Sequence, residues 1–193
     1  MNLLDDSLSA DLARSSAGLD ASMSQRFEVL AAYAQSTGAQ AILFTCSAFG
    51  SCIEAVAAKR PKMPVLKPNE AMVAEAVAMA KGGRIGLVAS FAPTLVSMPP
   101  EFPRAANLTT ALAEGALDAL NRGDGAGHDE RVVQPALSLK AHGCTLIALA
   151  QFSMARAQAA VEQAVGLPVL TTPGSSIRAL RQRLQSKVAV KQA

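Results

Sequence analysis

Short apolar runs alternate with longer alanine-rich runs along the whole sequence, and this alternation restricts the fold more than any other feature. Strands that alternate with helices of about 10–15 residues are typical of βαβ units, in which the strands are parallel. AILFT (41–45) and TLIALA (145–150) are apolar without alternation, as expected for strands that helices cover on both faces. The predicted strands are 2–4, 41–45, 64–66, 84–89, 107–110, 145–150 and 168–171. The predicted helices are roughly 20–37, 48–59, 69–81, 114–121, 129–142, 154–165 and 175–187, with loops at 97–107 and 121–129.

The alternation repeats within the chain. Three residues in the first part of the chain have an identical residue 105 positions later. These pairs are Asn2 and Asn107, Arg26 and Arg131, and Gly38 and Gly143. After one deletion, PVL at 64–66 meets PVL at 168–170. A duplication explains the matched spacing and element types better than chance does. It predicts an α/β fold of two pseudo-twofold-related lobes, each a parallel sheet flanked by helices, with the active site in the cleft between them. Lobe one would be 1–82 plus 174–193 and lobe two 83–173.

Composition argues against several classes of protein. Half of the residues are hydrophobic, so a sizeable core can be buried. The net charge is only +3, and a nucleic-acid surface would be denser in Lys and Arg and richer in aromatic residues. No apolar run reaches about 18 residues, so no membrane span is expected, and no Cys/His cluster has zinc spacing. Three cysteines, an odd number, without a signal-peptide pattern predict a cytoplasmic protein.

Three isolated features are predicted to be structural. His128 and His142 stand alone in sequence and are expected to be solvated loop residues. The basic segment from Arg178 to Lys191 is expected to form an amphipathic final helix with a solvated face, which serves packing or dimer contacts.

Cys46 ends the apolar run AILFT, where a strand gives way to a helix. Ligands bind beyond the carboxyl ends of parallel strands, where helix N-termini point their N–H groups outward. A thiolate is favoured in such a setting. The alternative is a small buried cysteine, which is a common core residue. Gln151 occupies the matching position of the second unit, at an offset of 105.

Four segments resemble motifs of the aspartate/glutamate racemase superfamily, and the resemblance covers almost the whole chain. FTCSAFG and ALAQFSMARA resemble its two cysteine motifs, while VLKPNEAM and IGLVASFAPTL resemble two of its loops. The superfamily includes amino-acid and hydantoin racemases, maleate isomerase and arylmalonate decarboxylase, which use one thiol per lobe or a single thiol and need no cofactor. The resemblance implies a small carboxylate-bearing substrate, no cofactor and no metal. It leaves a homo-oligomer open.

The same resemblance, together with position at strand ends, selects the candidate site residues. Cys46 is the candidate base, and the candidate substrate-binding residues are Ser47, Ala48, Asn69, Ser90, Thr94, Gln151, Phe152, Ser153 and Thr172. The Ser, Thr and Asn residues have an equally good interpretation as helix N-caps. Cys52 is expected to pack within a helix, and Cys144 to lie at the far end of its strand.

The sequence departs from the superfamily's pattern in two places. Gln151 stands where a second thiol is expected, and glutamine cannot exchange a proton at neutral pH. The strand RIGLVA (84–89) precedes Asn107, whereas no matching strand precedes Asn2 in this sequence. A cofactor-independent racemase or isomerase that uses one cysteine is the expected function. A single-cysteine decarboxylase and a non-catalytic binder of small acids remain the alternatives.

Overall fold

The computed structural model describes residues 1–192, except for the side chains of Ser9 and of residues 187–192. The chain divides into two compact units, unit 1 (Met1–Pro68 with Ala179–Ala193) and unit 2 (Asn69–Arg178). The helices are α1 (Leu8–Arg14), α2 (Ala21–Ser36), α3 (Gly50–Ala58), α4 (Glu70–Ala80), α5 (Thr94–Ser97), α6 (Ala116–Asn121), α7 (Gly125–Ala141), α8 (Gln158–Val165) and α9 (Thr172–Gln192). The strands are β1 (Ile42–Leu43), β2 (Val65–Leu66), β3 (Arg84–Ala89), β4 (Leu108–Leu112), β5 (Cys144–Leu149) and β6 (Val169–Thr171).

Unit 2 contains a four-stranded parallel sheet in the order β4-β3-β5-β6. The two central strands β3 and β5 are almost wholly buried, because hydrophobic cores lie on both of their faces. Val88 and Ile147 face the core that holds α7 and α8, whereas Leu87 and Leu146 face the core that holds α4. The continuous apolar runs of these strands follow from this double coverage, as the sequence predicts.

Gly86 permits close packing of α7 against β3. A Cβ at this position would lie 2.8 Å from Ile147 Cδ1 and 3.0 Å from Leu139 Cδ1. Both neighbours are buried, so they have little room to move aside. The glycine therefore sets the distance between the helix layer and the sheet.

Unit 1 contains a two-stranded parallel sheet, β1-β2, which α2 and α3 cover. Its core is built around three phenylalanines. The Phe27 ring centroid lies 5.2 Å from that of Phe44 and 5.0 Å from that of Phe49. Tilted aromatic pairs at these distances favour packing beyond simple area burial. Phe49 is 2% exposed, so it anchors the turn that follows Cys46 in this core.

The predicted strand at 2–4 is wrong, since residues 1–5 have no regular structure. The matching strand of unit 2, β4, pairs with β3 and not with β5. Within the described residues of unit 1 no counterpart of β3 adjoins β1, so Asn2–Leu4 has no strand edge to pair with. The segment is instead tied to α2 by Arg26, which pairs with Asp5 and Asp11 at 2.6 Å each.

The predicted loop at 121–129 and the solvated His128 are also wrong. Asp124 accepts a hydrogen bond from the Gly127 N–H at 2.8 Å and so caps α7, which begins at Gly125. This places His128 within the helix, and its side chain is completely buried. The histidine Nδ1 lies 2.7 Å from an oxygen of Asp129. His142 does lie at the exposed end of α7, as expected.

Candidate active site

Cys46 lies beyond the carboxyl end of β1, and its side chain is exposed. Its backbone is extended (φ −126°, ψ 121°), and a short 3₁₀ turn, Ser47–Phe49, follows it and leads into α3. Ser47 and Ala48 are exposed as well. The first N–H groups of a helical segment have no partner within it and attract negative charge. An anion that binds to these N–H groups would therefore lie next to the accessible thiol of Cys46.

The other two cysteines are inaccessible. Cys52 lies in α3 with no exposed surface, and its sulfur is 3.5 Å from the hydroxyl oxygen of Ser24. Cys144 is the first residue of β5 and is 4% exposed. Burial raises the pKa of the Cys144 thiol, although the Arg84 cation opposes that shift. Of the three thiols, Cys46 is the one that solvent can reach.

Gln151 has the same local setting in unit 2 as Cys46 has in unit 1. Its backbone is extended (φ −128°, ψ 148°), it follows β5, and the 3₁₀ segment Phe152–Ala157 begins after it. Its side-chain oxygen accepts hydrogen bonds from Ser90, at 2.7 Å from the backbone nitrogen and 3.1 Å from the hydroxyl. Because Ser90 is only 8% exposed, its two donors have little access to water, and both bond to the glutamine oxygen.

The remaining candidates of unit 2 fall into two groups. Asn69 and Thr172 are buried and bonded within the protein: Asn69 donates to Glu101 at 3.1 Å, and the Thr172 hydroxyl donates to the Leu149 carbonyl at 3.3 Å. Asn69 precedes α4 without capping it. The others are at least partly accessible: Thr94, Phe152 and Ser153.

The units divide the candidates between them. Cys46, Ser47 and Ala48 belong to unit 1, and all the others belong to unit 2. Within unit 2, the structure brings Ser90 and Gln151 into direct contact. Sequence reasoning missed this contact and the Asn69–Glu101 bond, because each joins residues that are far apart in the chain.

Sequence reasoning also missed a cavity of about 970 Å³ in unit 1 that reaches Cys46. Its walls are the first six residues, one side of α2 and the segment from Ile42 to Cys46. Its acidic lining residues are Asp5 and Asp6. No local sequence pattern indicates this cavity, because its lining combines the first residues of the chain with α2 and with the segment from Ile42 to Cys46.

The described residues were also searched for metal-binding clusters and for membrane-spanning helices. No group of three or more His, Cys, Asp or Glu side chains there could hold a metal ion. No helix within that part of the chain has the length and apolar character needed to span a bilayer.

Known proteins resemble this chain in structure but not detectably in sequence. No protein-family profile matches the sequence, and no curated protein is significantly similar to it. A glutamate racemase from Bacillus anthracis superposes with a TM-score of 0.63 at 15% identity, covering 85% of this chain and 64% of its own. This chain thus spans less than two thirds of that racemase.

Two further structures have the same fold. Allantoin racemase from Klebsiella pneumoniae matches with a TM-score of 0.59 at 19% identity, over 85% of this chain and 66% of its own. A variant of arylmalonate decarboxylase in a sulfate-associated form matches with a TM-score of 0.62 at 15% identity, over 84% and 75% of the two chains. This chain therefore has the α/β fold of the Asp/Glu/hydantoin racemase superfamily, as the sequence motifs predict.

Proposed function

We propose that the protein is a cofactor-independent enzyme of the racemase or isomerase type, which removes a proton next to a carboxylate with Cys46 as its base. The observation that carries the proposal is the placement of Cys46. It is an exposed thiol beyond the end of a parallel strand and before a helical turn, whereas Cys52 and Cys144 are buried. Glutamate and allantoin racemases share the fold.

The chemistry requires a base that is close, oriented and ionised, because a proton α to a carboxylate is weakly acidic. The Cys46 thiolate takes the proton and becomes a thiol, and the substrate becomes an enediolate. N–H groups at the turn Ser47–Phe49 then face the negative charge that develops on the enediolate. Donors fixed in that position stabilise the transition state of proton removal. The Cys46 thiol can return a proton only to the face from which it was removed, so exchange needs this thiol alone, whereas inversion needs a second proton donor at the other face.

A single-cysteine decarboxylase or a non-catalytic binder of small acids is the second candidate. The residue at position 151 favours it, because glutamine stands where the sequence motif has a second thiol, and a glutamine amide cannot supply a proton. In a decarboxylase, the carboxylate leaves as CO₂ and a single thiol protonates the carbanion that remains. One neighbour in the structural comparison is such a decarboxylase.

The test is exchange of the α-proton in D₂O. A panel of small amino, hydroxy and aryl-substituted acids is incubated with the protein and followed by NMR. We expect Cys46→Ala to slow exchange by at least about 100-fold, the usual contribution of a positioned base. Cys52→Ala and Cys144→Ala serve as controls and should retain exchange. Wild-type turnover by a folded Cys46→Ala variant would refute the proposal.

Decarboxylation is measured in the same panel as release of CO₂ from malonates. A protein that binds an acid, as shown by protection of Cys46 from iodoacetamide, but catalyses neither exchange nor decarboxylation is a binder. That outcome would also refute the enzymatic proposal.

A further inference from the structure

His128 combines complete burial with an unsatisfied nitrogen. Its side chain has no exposed surface, and within the described residues its Nε2 atom has no hydrogen-bond partner. A buried polar atom without a partner lowers the stability of the folded state, because it has lost its bonds to water. Packing alone would therefore favour an apolar side chain at this position.

The corresponding helix of unit 1 has such an apolar side chain. At the offset of 105, the buried positions of α2 coincide with those of α7: Met23, Phe27, Ala31 and Ala34 match His128, Val132, Ala136 and Leu139. Met23 is thus the counterpart of His128, and it is buried as well. The same place in the repeated unit accommodates methionine, so the histidine contributes something other than volume.

The second ring nitrogen of His128 binds a carboxylate. Nδ1 lies 2.7 Å from Oδ1 of Asp129. Burial alone would raise the pKa of the Asp129 carboxyl, but the hydrogen bonds from Arg156 and His128 outweigh burial and lower the pKa. An ionised carboxylate can only accept, so Nδ1 carries the proton and donates the hydrogen bond. Adjacent residues of a helix point in different directions, so this bond turns the carboxylate toward the ring and fixes its orientation.

Asp129 in turn holds Arg156 through both of its oxygens. Oδ1 accepts from Nε at 2.9 Å, and Oδ2 accepts from Nη2 at 3.3 Å. Gly125, the first residue of α7, leaves room for the guanidinium, since a Cβ there would lie 2.6 Å from Cζ. An exposed ion pair alone contributes little, because both side chains must become ordered. Here His128 has already ordered the carboxylate, so the loss of side-chain freedom falls on Arg156 only.

Arg156 belongs to the 3₁₀ segment that follows Gln151. This segment, Phe152–Ala157, has six residues and packs against α7. Its counterpart in unit 1, Ser47–Phe49, has three residues and leads directly into α3. Runs of 3₁₀ helix longer than about three or four residues are uncommon, because their hydrogen bonds are poorly aligned. The longer segment therefore needs support from outside, and the bond from Arg156 to Asp129 supplies it.

We propose that His128 is a positioning residue, which holds the segment Phe152–Ala157 against α7 through Asp129 and Arg156. The segment contains the candidate substrate-binding residues Phe152 and Ser153, so its order determines where their side chains lie. The positioning role stands on the contacts above, and its consequence for substrate binding rests on the proposed function.

The experiment compares two variants of the full chain by amide hydrogen exchange, measured by NMR. His128→Met introduces the residue of unit 1, which fills the same space but has no donor. His128→Asn leaves a small cavity but keeps an N–H near the position of Nδ1. We expect exchange of the amides of 154–157 to become at least about tenfold faster in His128→Met and to stay within about twofold of the parent protein in His128→Asn. The amides of β3 report global unfolding and serve as the internal reference.

This order of effects distinguishes positioning from packing. If His128 only filled the core, asparagine would be the worse substitution, because it leaves a cavity, and methionine would be the better one. In the parent protein the Nδ1 proton should also give a resolved NMR signal, since it is buried and hydrogen-bonded. A ring that carries its proton on Nε2 alone would overturn the proposal.

Substrate binding is tested with any acid whose α-proton the parent protein exchanges. His128→Met should raise KM at least about fivefold and change kcat less than about twofold, because it disturbs binding and leaves Cys46 intact. A lower kcat at unchanged KM would overturn the claim for substrate binding. If no acid exchanges, the proposed function fails, and the amide measurements decide the positioning role on their own.

A second variant breaks the same chain of contacts in case His128→Met does not fold. Asp129 is partly exposed, and Asp129→Ala should speed exchange of the same amides at least about tenfold. Glu130→Ala, one residue further on and exposed, is the matched control and should leave them unchanged. Unchanged amides of 154–157 in His128→Met or in Asp129→Ala would overturn the proposal, and so would exchange in His128→Asn as fast as in His128→Met.

Discussion

Replacing Gln151 with cysteine tests how the strand end of unit 2 is held together. The glutamine oxygen accepts two hydrogen bonds from Ser90, at 2.7 Å and 3.1 Å, and the serine is 8% exposed. A hydrogen bond contributes about 0.5–1.5 kcal/mol net, and a buried donor left without a partner costs about 1–3 kcal/mol. Gln151 itself is half-buried, so water can replace part of the lost bonding. We expect Gln151→Cys to lower the free energy of unfolding by about 1–2 kcal/mol.

The assay is urea denaturation followed by circular dichroism, with Ser153→Cys as the matched control. Ser153 lies two residues further on and is exposed, so this control adds a thiol without disturbing Ser90. It should change the free energy of unfolding by less than about 0.5 kcal/mol, as surface substitutions usually do. Equal stability of both variants and the parent protein would show that the Ser90–Gln151 contact does not hold this strand end together.

Two predictions concern stability alone. Gly86→Ala should cost about 1–3 kcal/mol in urea denaturation, because its Cβ would overpack Ile147 and Leu139, whereas Gly50→Ala, with no atom within 4 Å, should cost nothing. The hydrogen bond from Arg60 lowers the pKa of the Glu28 carboxyl, so the stability that this ionised pair contributes should be full above about pH 4.3 and fall as the pH drops through the lowered pKa. Parallel pH profiles of Glu28→Gln and the parent protein would refute that assignment.

The sequence predicted the fold where a strand's own residues decide its structure. RIGLVA at 84–89 and β5 are apolar after Arg84 and Thr145 near their starts, as expected for strands that helices cover on both faces. Prediction failed where a strand depends on its neighbour. Asn2–Leu4 resembles β4 in sequence, but β4 is held by β3, and residues 2–4 have no such partner in the described chain.

The candidate site shows the same division. The position of Cys46 follows from a strand-to-helix junction that is local in sequence, and the structure places it at such a junction. The bond between Ser90 and Gln151 joins residues 61 positions apart, so no local pattern reveals it. The burial of His128 depends on how Asp124 begins α7, and the glycine-rich sequence around it favours a loop instead.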